Sequence, residues 1–482
     1  MSKEIYPMEE KYQEYLIDES KNLGEATSIS FPENEDEVQE IVKTLLRERV
    51  PITVQGSMTG IVGGSIPCGG HIMNLQKMKR ILSFANQEQP QVTVEAGVSL
   101  EELEQGIDRH YRGERYFWPP TPSEGTASIG GILATAARGM NVSYYGDTKK
   151  YVSEIQMVDG MGKLHVIGRS SAEESDLLDT IIGSEGLLGI ITKATLVLRK
   201  RLEESWGITF FFKELDQIDA FVKGLEEIEE TLSKCIVATE YADRRALDLV
   251  ESKKAFMNKI KELPDIEKAF NHLLYLELGG TEERITQTAE VLMNLALECG
   301  SDPDKAWAVM GEMEIQKMHA FHHCVAECIN LYTEEVRRGD NRITKLEADI
   351  ALPELPFKEC IEFYREEAQR QILDIAIFGH VKGRYLHANI LPKNYTEYES
   401  GEKLIDFWNR EAYEKYGQVA IEHGIGKVKN RLTKYIYTEK QRAQMVTQKQ
   451  EYDPQQLLNR GNVFSEDTDD KDSSMYEAGA SL

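Results

Sequence analysis

Two histidines and a distant Glu-His pair carry the strongest chemical signal in this chain. The apolar runs Ile372–Phe378 and Leu386–Leu391 flank Gly379-His380-Val381-Lys382-Gly383-Arg384-Tyr385, which places His380 before the turn and His387 after it. A turn centred on Gly383-Arg384 makes the two histidines directly opposed cross-strand partners, about 4.5–5.5 Å apart at Cβ. Imidazoles at that distance can chelate one divalent cation. Glu422, followed by His423 and bracketed by Gly424 and Gly426, is the candidate third ligand. Two histidines and one carboxylate leave a position open for a substrate oxygen, as in a catalytic zinc site. A cation there polarises a hydroxyl and lowers its pKa, and His423 is the candidate general base for that proton. From spacing alone the plainer alternative stays open: two histidines satisfied in a hairpin, and an exposed glutamate.

Three glycine-rich stretches precede these residues. Gln55-Gly56-Ser57-Met58-Thr59-Gly60-Ile61-Val62-Gly63-Gly64 follows a short apolar run. Glycine permits left-handed backbone and close approach, so successive N–H groups can converge on an anion such as pyrophosphate. The spacing matches neither Gly-x-Gly-x-x-Gly nor a Walker loop, and a tight surface turn explains it equally well. The second stretch runs from Trp118 through Pro119, Pro120, Thr121, Pro122 and Ser123 to Gly130-Gly131. Its prolines rigidify the entry. Its glycines, with Ala134, Ala136 and Ala137, leave an uncrowded surface on which a flat ring system can lie; close packing of a small-residue helix is the alternative. The third, Gly183-Ser184-Glu185-Gly186-Leu187-Leu188-Gly189, turns into a strand.

Elements to hold these residues are legible in the periodicity. Val38, Ile41, Val42, Leu45 and Leu46 recur at helical spacing, Asn34 and Glu37 fit a capping-box variant, and Ile52–Val54 reads as the strand that follows. A similar strand recurs at Val92–Ala96, where Ser99 caps a second amphipathic helix. Ile155–Val158 and Leu164–Ile167 form a hairpin across Asp159-Gly160-Met161-Gly162, and Ile190–Leu198 adds a strand. The first domain is placed at 1–200. Beyond it, Ile208–Phe212, Ile236–Glu240, Leu273–Leu278, Ala348–Leu352 and Leu373–Phe378 are strand candidates separated by helical stretches. This pattern predicts an α+β domain of helices against an antiparallel sheet over 201–425. Residues 466–482 are acidic and Ser-rich and are expected to be disordered.

Composition narrows the function classes. The chain has 482 residues, too many for one core, and 56 basic against 82 acidic side chains give a net charge of -26. Phosphate neutralisation needs clustered Lys and Arg, so a nucleic-acid surface is disfavoured. No apolar run reaches the roughly 18 residues of a membrane span, and the polar N-terminus lacks a signal-peptide core. Six cysteines without close paired spacing point to reduced thiols and a cytoplasmic setting. Cys324 and Cys328, one helical turn apart, read as packing thiols, since a metal site needs more ligands nearby. No Cys-rich iron–sulfur pattern occurs.

In their order and separation the glycine stretches resemble the FAD-binding domain of the vanillyl-alcohol oxidase/PCMH flavoprotein superfamily. Phe378-Gly379-His380, Leu386-His387-Ala388-Asn389-Ile390-Leu391-Pro392 and Glu422-His423-Gly424-Ile425-Gly426-Lys427 resemble the metal and catalytic motifs of one branch. That branch contains glycolate oxidase, D-lactate dehydrogenase and D-2-hydroxyglutarate dehydrogenase, and the resemblance covers nearly all the chain through 464. It implies an α+β architecture: a PCMH-type FAD-binding domain plus a cap domain of antiparallel sheet with helices, in ferredoxin-like pieces. It implies that Gly56, Ser57, Met58, Thr59 and Gly60 hold the FAD pyrophosphate. Pro120, Thr121, Pro122, Ser123, Thr126, Ser128, Gly130 and Gly131 would line the flavin, with Ile190 beside it. FAD is expected to be non-covalent, because the first loop lacks the histidine to which some relatives attach it. His380, His387 and Glu422 become ligands of a divalent metal, zinc first and manganese or iron as alternatives. His423 becomes the base and Asn389 a substrate contact, with hydride passing to flavin N5. Tyr452-Asp453-Pro454 and Leu457-Leu458-Asn459-Arg460-Gly461-Asn462 resemble the closing motif that returns 426–465 to the flavin domain, with Arg460 where proline is usual.

The chain departs from that pattern where an anion would bind. Relatives usually carry an Arg in a cap-domain helix for the substrate carboxylate; here the matching stretch places His322 there. Imidazole cannot reproduce the bidentate fork of Arg. Glu347 stands where some relatives have Lys. Lys382 and Arg384 replace a Gly-Asp-Asn turn, and either supply the missing charge or are solvated turn residues. The expected function is metal-assisted oxidation of a D-2-hydroxy acid by FAD. The alternatives are the same chemistry on a sugar or aromatic carbinol, and a flavin-carrying subunit without turnover. Expected partners are the small-molecule alcohol and an external electron acceptor, with oxygen, quinone, cytochrome and electron-transfer flavoprotein all compatible. A homodimer is one option for assembly.

Overall fold

The computed structural model describes residues 5–86, 88–232, 235–258, 260–417 and 419–464, so the acidic tail 466–482 lies outside the described residues. The fold is α+β, as the periodicity predicts. The chain divides into two compact units. The first comprises the described residues up to Gly139, Asp147–Arg201 and those from His423 onward; the second comprises Met140–Gly146 and Leu202–Glu422. The division therefore falls between Glu422 and His423.

In the first unit, the helix Glu35–Glu48 starts where Asn34 accepts the Glu37 N–H and stops at Arg49, whose left-handed backbone returns its N–H to Leu45. Val38, Ile41, Val42 and Leu45 are buried on one face. They pack with Ile52, Met73, Ala96, Val158, Ile190 and Leu458. Each such side chain contributes roughly 1.5–3 kcal/mol by leaving water. Ile52–Gln55 pairs in parallel with His71–Asn74, and so enters the first glycine stretch at a fixed place. A second, antiparallel sheet runs in the order Ile81–Ala85, Gln91–Glu95, Ile190–Val197, Val152–Val158, Leu164–Gly168. The expected hairpin is its last pair, with the Asp159 carboxylate accepting the N–H groups of Met161 and Lys163. Ser99 and Glu102 close a complete capping box at the helix Leu100–His110.

The second unit is built on a sheet of nine strands among the described residues. Its centre runs Glu204–Phe212, His272–Gly280, Ile236–Asp243, Ile375–His380, Tyr385–Ile390, each pair antiparallel. The expected single strand at 348–352 is instead two short ones, Leu346–Ala348 and Ile350–Ala351. Their interruption at Asp349 matters below. The 26-residue helix Glu312–Arg337 packs on this sheet through Met318, Phe321, Cys324, Val325, Cys328 and Ile329. Cys324 and Cys328 are buried thiols packed in this core and form no disulfide among the described residues, as expected.

Candidate active site

The histidine hairpin turns through residues 381–384, with Gly383 at φ 75° inside the short 3-10 turn Lys382–Arg384. Its register pairs His380 with Tyr385 and Phe378 with His387. The expectation of directly opposed histidines is corrected: the turn sits earlier, and they are diagonal neighbours. A two-residue offset leaves both side chains on one face of the sheet. Their rings lie 6.2 Å apart at the centroids.

Glu422 follows the strand Ala420–Ile421, which pairs with Ile350–Ala351. The Glu422 N–H donates to Asp349 Oδ2 at 3.3 Å, so the break in the neighbouring strand fixes its position. One carboxylate oxygen lies 3.1 Å from His380 Nε2 and the other 3.5 Å from His387 Nε2. Glu422 is buried, so the exposed-glutamate alternative does not hold. One atom from each of the three residues lies within 4.8 Å of the others.

The surroundings of this triad are rich in buried charge. Glu240 and Asp349 are almost wholly buried, and Glu347 is paired with Lys345 at 2.7 Å. Burial opposes a charged His380, but Glu240 and Glu422 on its two nitrogens hold its pKa well above the imidazole range. A dication offsets such a carboxylate cluster, and the donor set is one that zinc, manganese or iron accepts. The residues fit a metal.

The other expected substrate residues are distributed unevenly. Asn389 is fully buried, two residues beyond His387 on the same strand; its Nδ2 donates weakly to the His387 carbonyl. Its Oδ1 accepts no hydrogen bond among the described residues. His322 Nε2 lies 3.2 Å from Glu240 Oε2. Burial and the neighbouring imidazoles push its pKa well down, so it does not carry the charge of an Arg. The Arg384 guanidinium is committed to Glu226 and to the carbonyls of Val381 and Leu355, while Lys382 is exposed.

His423 belongs to the first unit, in a loop clamped from two of the glycine stretches. Glu185 accepts the N–H groups of Ile425 and Gly426 at 2.6 and 2.7 Å. Burial raises the Glu185 pKa and those two bonds oppose the rise. The Val62 carbonyl accepts from Lys427 and Val428, and a Cβ on Gly426 would lie 2.0 Å from that oxygen. Asn459 and Asn462 donate to the Glu185 carbonyl and complete the clamp.

The glycine stretches themselves converge. A Cβ on Gly56 would sit 2.1 Å from Ser128 Oγ, and one on Gly130 would sit 2.7 Å from the Ala96 Cβ. Gly130 N–H donates to Ala96, Gly183 N–H to Leu133, and Glu185 N–H to Ala134. Ser128 caps the short helix Ile129–Thr135. Thr121 presses its carbonyl on Gly139, and Thr126 binds the Glu124 carboxylate. Ile190 is core, paired with Val158 and in one buried cluster with Leu458. Among the described residues, no partner takes the N–H groups of Ser57 to Gly60, and Met58 has a left-handed backbone. Such a run can bind an anion as a backbone nest. Beside it opens a cleft of about 790 Å³ lined by Ser57, Gln76, Gly97 and Ser99 and by charges of both signs, Lys77, Lys79 and Arg80 with Glu33, Glu101 and Glu102. The residues fit a dinucleotide.

Several of these groups have only a faint sequence signal. Glu185 is an acid inside a glycine stretch and Glu240 an acid inside an apolar strand. Lys77 and Arg80 form a basic cluster just after a strand.

The sequence matches the FAD binding domain family over residues 26–168 and the C-terminal domain of FAD linked oxidases over residues 208–463. It is 27% identical over 461 residues to a D-lactate dehydrogenase of Anaerostipes hadrus, covering 92% of this chain and 89% of that protein. A D-2-hydroxyglutarate dehydrogenase of Stutzerimonas stutzeri is 25% identical, covering 94% of each. Glycolate oxidase subunit GlcD of Bacillus subtilis is 26% identical, covering 91% and 89%. Among solved structures, p-cresol methylhydroxylase with substrate bound aligns with a TM-score of 0.74 over 97% of this chain and 95% of that one. Identity there is 15%, so the likeness concerns the fold.

Proposed function

The chain belongs to the FAD-linked oxidases, a family of flavin-dependent oxidoreductases, and from that premise we propose that it oxidises the alcohol carbon of a D-2-hydroxy acid with a divalent cation bound at His380, His387 and Glu422. The observation that carries this reading is the division of Glu422, with one oxygen toward each imidazole. The names of the relatives above support the substrate class.

Gly56, Ser57, Met58, Thr59 and Gly60 would hold the pyrophosphate of a dissociable FAD. Pro120, Thr121, Pro122, Ser123, Thr126, Ser128, Gly130, Gly131 and Ile190 would form the flavin side of the cradle. Bound FAD supplies a two-electron acceptor, and a bound cation acidifies the substrate hydroxyl. His423 takes the hydroxyl proton on its ring. Asn389 orients the substrate by hydrogen bonding. The Glu185 clamp keeps the His423 loop from reorganising, which preserves the gain from orientation. Electrons leave to an external acceptor, of which electron-transfer flavoprotein is one candidate.

A second reading is favoured by one specific observation. His322 is neutral and lies 3.2 Å from Glu240, and Arg384 is committed to Glu226. That arrangement supports an uncharged alcohol, such as a sugar or aromatic carbinol, acting through the same flavin chemistry. Anaerobic flavin reduction across D-2-hydroxy acids, sugars and aromatic alcohols separates the two, with metal content measured beside it. Bleaching by the acids supports the first reading and bleaching only by neutral alcohols the second. Absence of bleaching by any of them, in protein loaded with FAD and metal, defeats both.

A further inference from the structure

We propose that Glu240 is a positioning residue for the cation site, acting through His380; the inference rests on the reading that His380, His387 and Glu422 hold a metal. Glu240 lies in the strand Ile236–Asp243, directly opposite His380 in the neighbouring strand. Directly opposed residues share one face, with Cβ atoms about 4.5–5.5 Å apart. The sheet register therefore delivers the contact without any loop. His380 Nδ1 donates to Glu240 Oε1 at 2.6 Å, and Nε2 points the other way, to Glu422 at 3.1 Å.

That division of the ring decides the metal chemistry. An imidazole ligates through an unprotonated nitrogen, so one ring nitrogen must keep the proton and the other must give up its own. A carboxylate on Nδ1 assigns the proton to that side, fixes the ring plane and raises the basicity of Nε2, as in carboxylate–histidine–zinc triads. Glu240 is wholly buried. Removing a carboxylate from water is costly unless charge and hydrogen bonds offset it. Its second oxygen lies 3.2 Å from His322 Nε2, on the helix Glu312–Arg337, and makes no hydrogen bond among the described residues. Both oxygens thus face imidazoles. The Nδ1 of His387 lies 3.9 Å from a Glu347 oxygen, and Glu347 pairs with Lys345 at 2.7 Å. The orientation of His380 is thus set from behind, by Glu240.

The test uses the full chain loaded with FAD, stripped of metal by a chelator and titrated with zinc against a chromophoric competitor. Glu240→Ala is expected to weaken zinc binding roughly 10–100-fold. Glu240→Gln, which keeps the shape and an acceptor for Nδ1–H but not the charge, is expected to fall between it and the parent. FAD content and the melting temperature of the metal-free protein are measured on each variant. A lower zinc affinity at unchanged melting temperature is what a purely structural role would not produce. If Glu240→Ala misfolds, Glu240→Gln carries the test. Parent-like zinc affinity in a folded Glu240→Gln and a folded Glu240→Ala overturns the inference while leaving the metal site standing. A parent protein that binds neither zinc nor manganese overturns the metal reading itself, and the role of Glu240 with it.

Discussion

In the first unit the candidate cofactor site is made of backbone: free N–H groups, left-handed turns and glycines whose missing Cβ atoms leave room for close approach. In the second unit the candidate cation site is made of side chains, drawn from strands near residues 240, 350, 380 and 422 and laid side by side by the sheet. The first kind of site is sensitive to volume, the second to charge and register. Substitutions should therefore fail in different ways in the two units, and each of the following expectations breaks or sharpens that contrast.

The largest effect is expected at the candidate base. His423→Ala should slow anaerobic flavin reduction about 10²–10⁴-fold while FAD and metal stay bound; a parent-like rate removes His423 from the chemistry. His387→Ala should abolish metal retention through a desalting column and leave the flavin spectrum unchanged. Loss of FAD in that variant would show that the two sites are not separable. Conversely, Gly56→Ala places a Cβ 2.1 Å from Ser128 Oγ. Overpacking of this kind costs about 1–3 kcal/mol, and FAD content should fall while zinc affinity holds.

Smaller effects probe the scaffold of each unit. Glu185→Gln keeps the shape of the clamp but weakens bonds to two backbone N–H groups, charge-assisted bonds being about twice as strong as neutral ones. The expected result is a several-fold slower flavin reduction with KM for the alcohol little changed. Each unit also holds a buried neutral histidine. Burial lowers the pKa of His71 to about 3 and that of His272 to about 4, from 6.5. The unfolded chain binds these protons and the folded chain does not. The stability they contribute is therefore present above about pH 6.5 and lost as pH falls toward the folded values, at up to about 1.4 kcal/mol per pH unit for each group. Melting temperature against pH checks this: His71→Gln and His272→Gln should each flatten the decline between pH 6 and 4.

Much of the first unit could be read locally. Asn34, the stripe from Val38 to Leu45 and Ser99 with Glu102 announce helices because caps and periodicity act within a few residues. The hairpin at Asp159 follows from its turn. In the second unit the hairpin was legible but its register was not, because moving the turn by one residue at Gly383 costs little locally and shifts the pairing by two. The His380–Glu240 contact joins residues 140 positions apart. No spacing rule spans such a distance.

The sequence by itself determined which groups were available: glycines where backbone must come close, imidazoles and a carboxylate able to bind a cation, and a histidine next to that carboxylate. It could do so because residue chemistry and short-range periodicity are properties of contiguous chain. Only the tertiary structure decided that Glu422 divides its oxygens between His380 and His387, that Glu240 backs one of them, and that Glu185 clamps the His423 loop. Those outcomes depend on strand order and register, which are fixed by burial of whole faces rather than by any local run of residues.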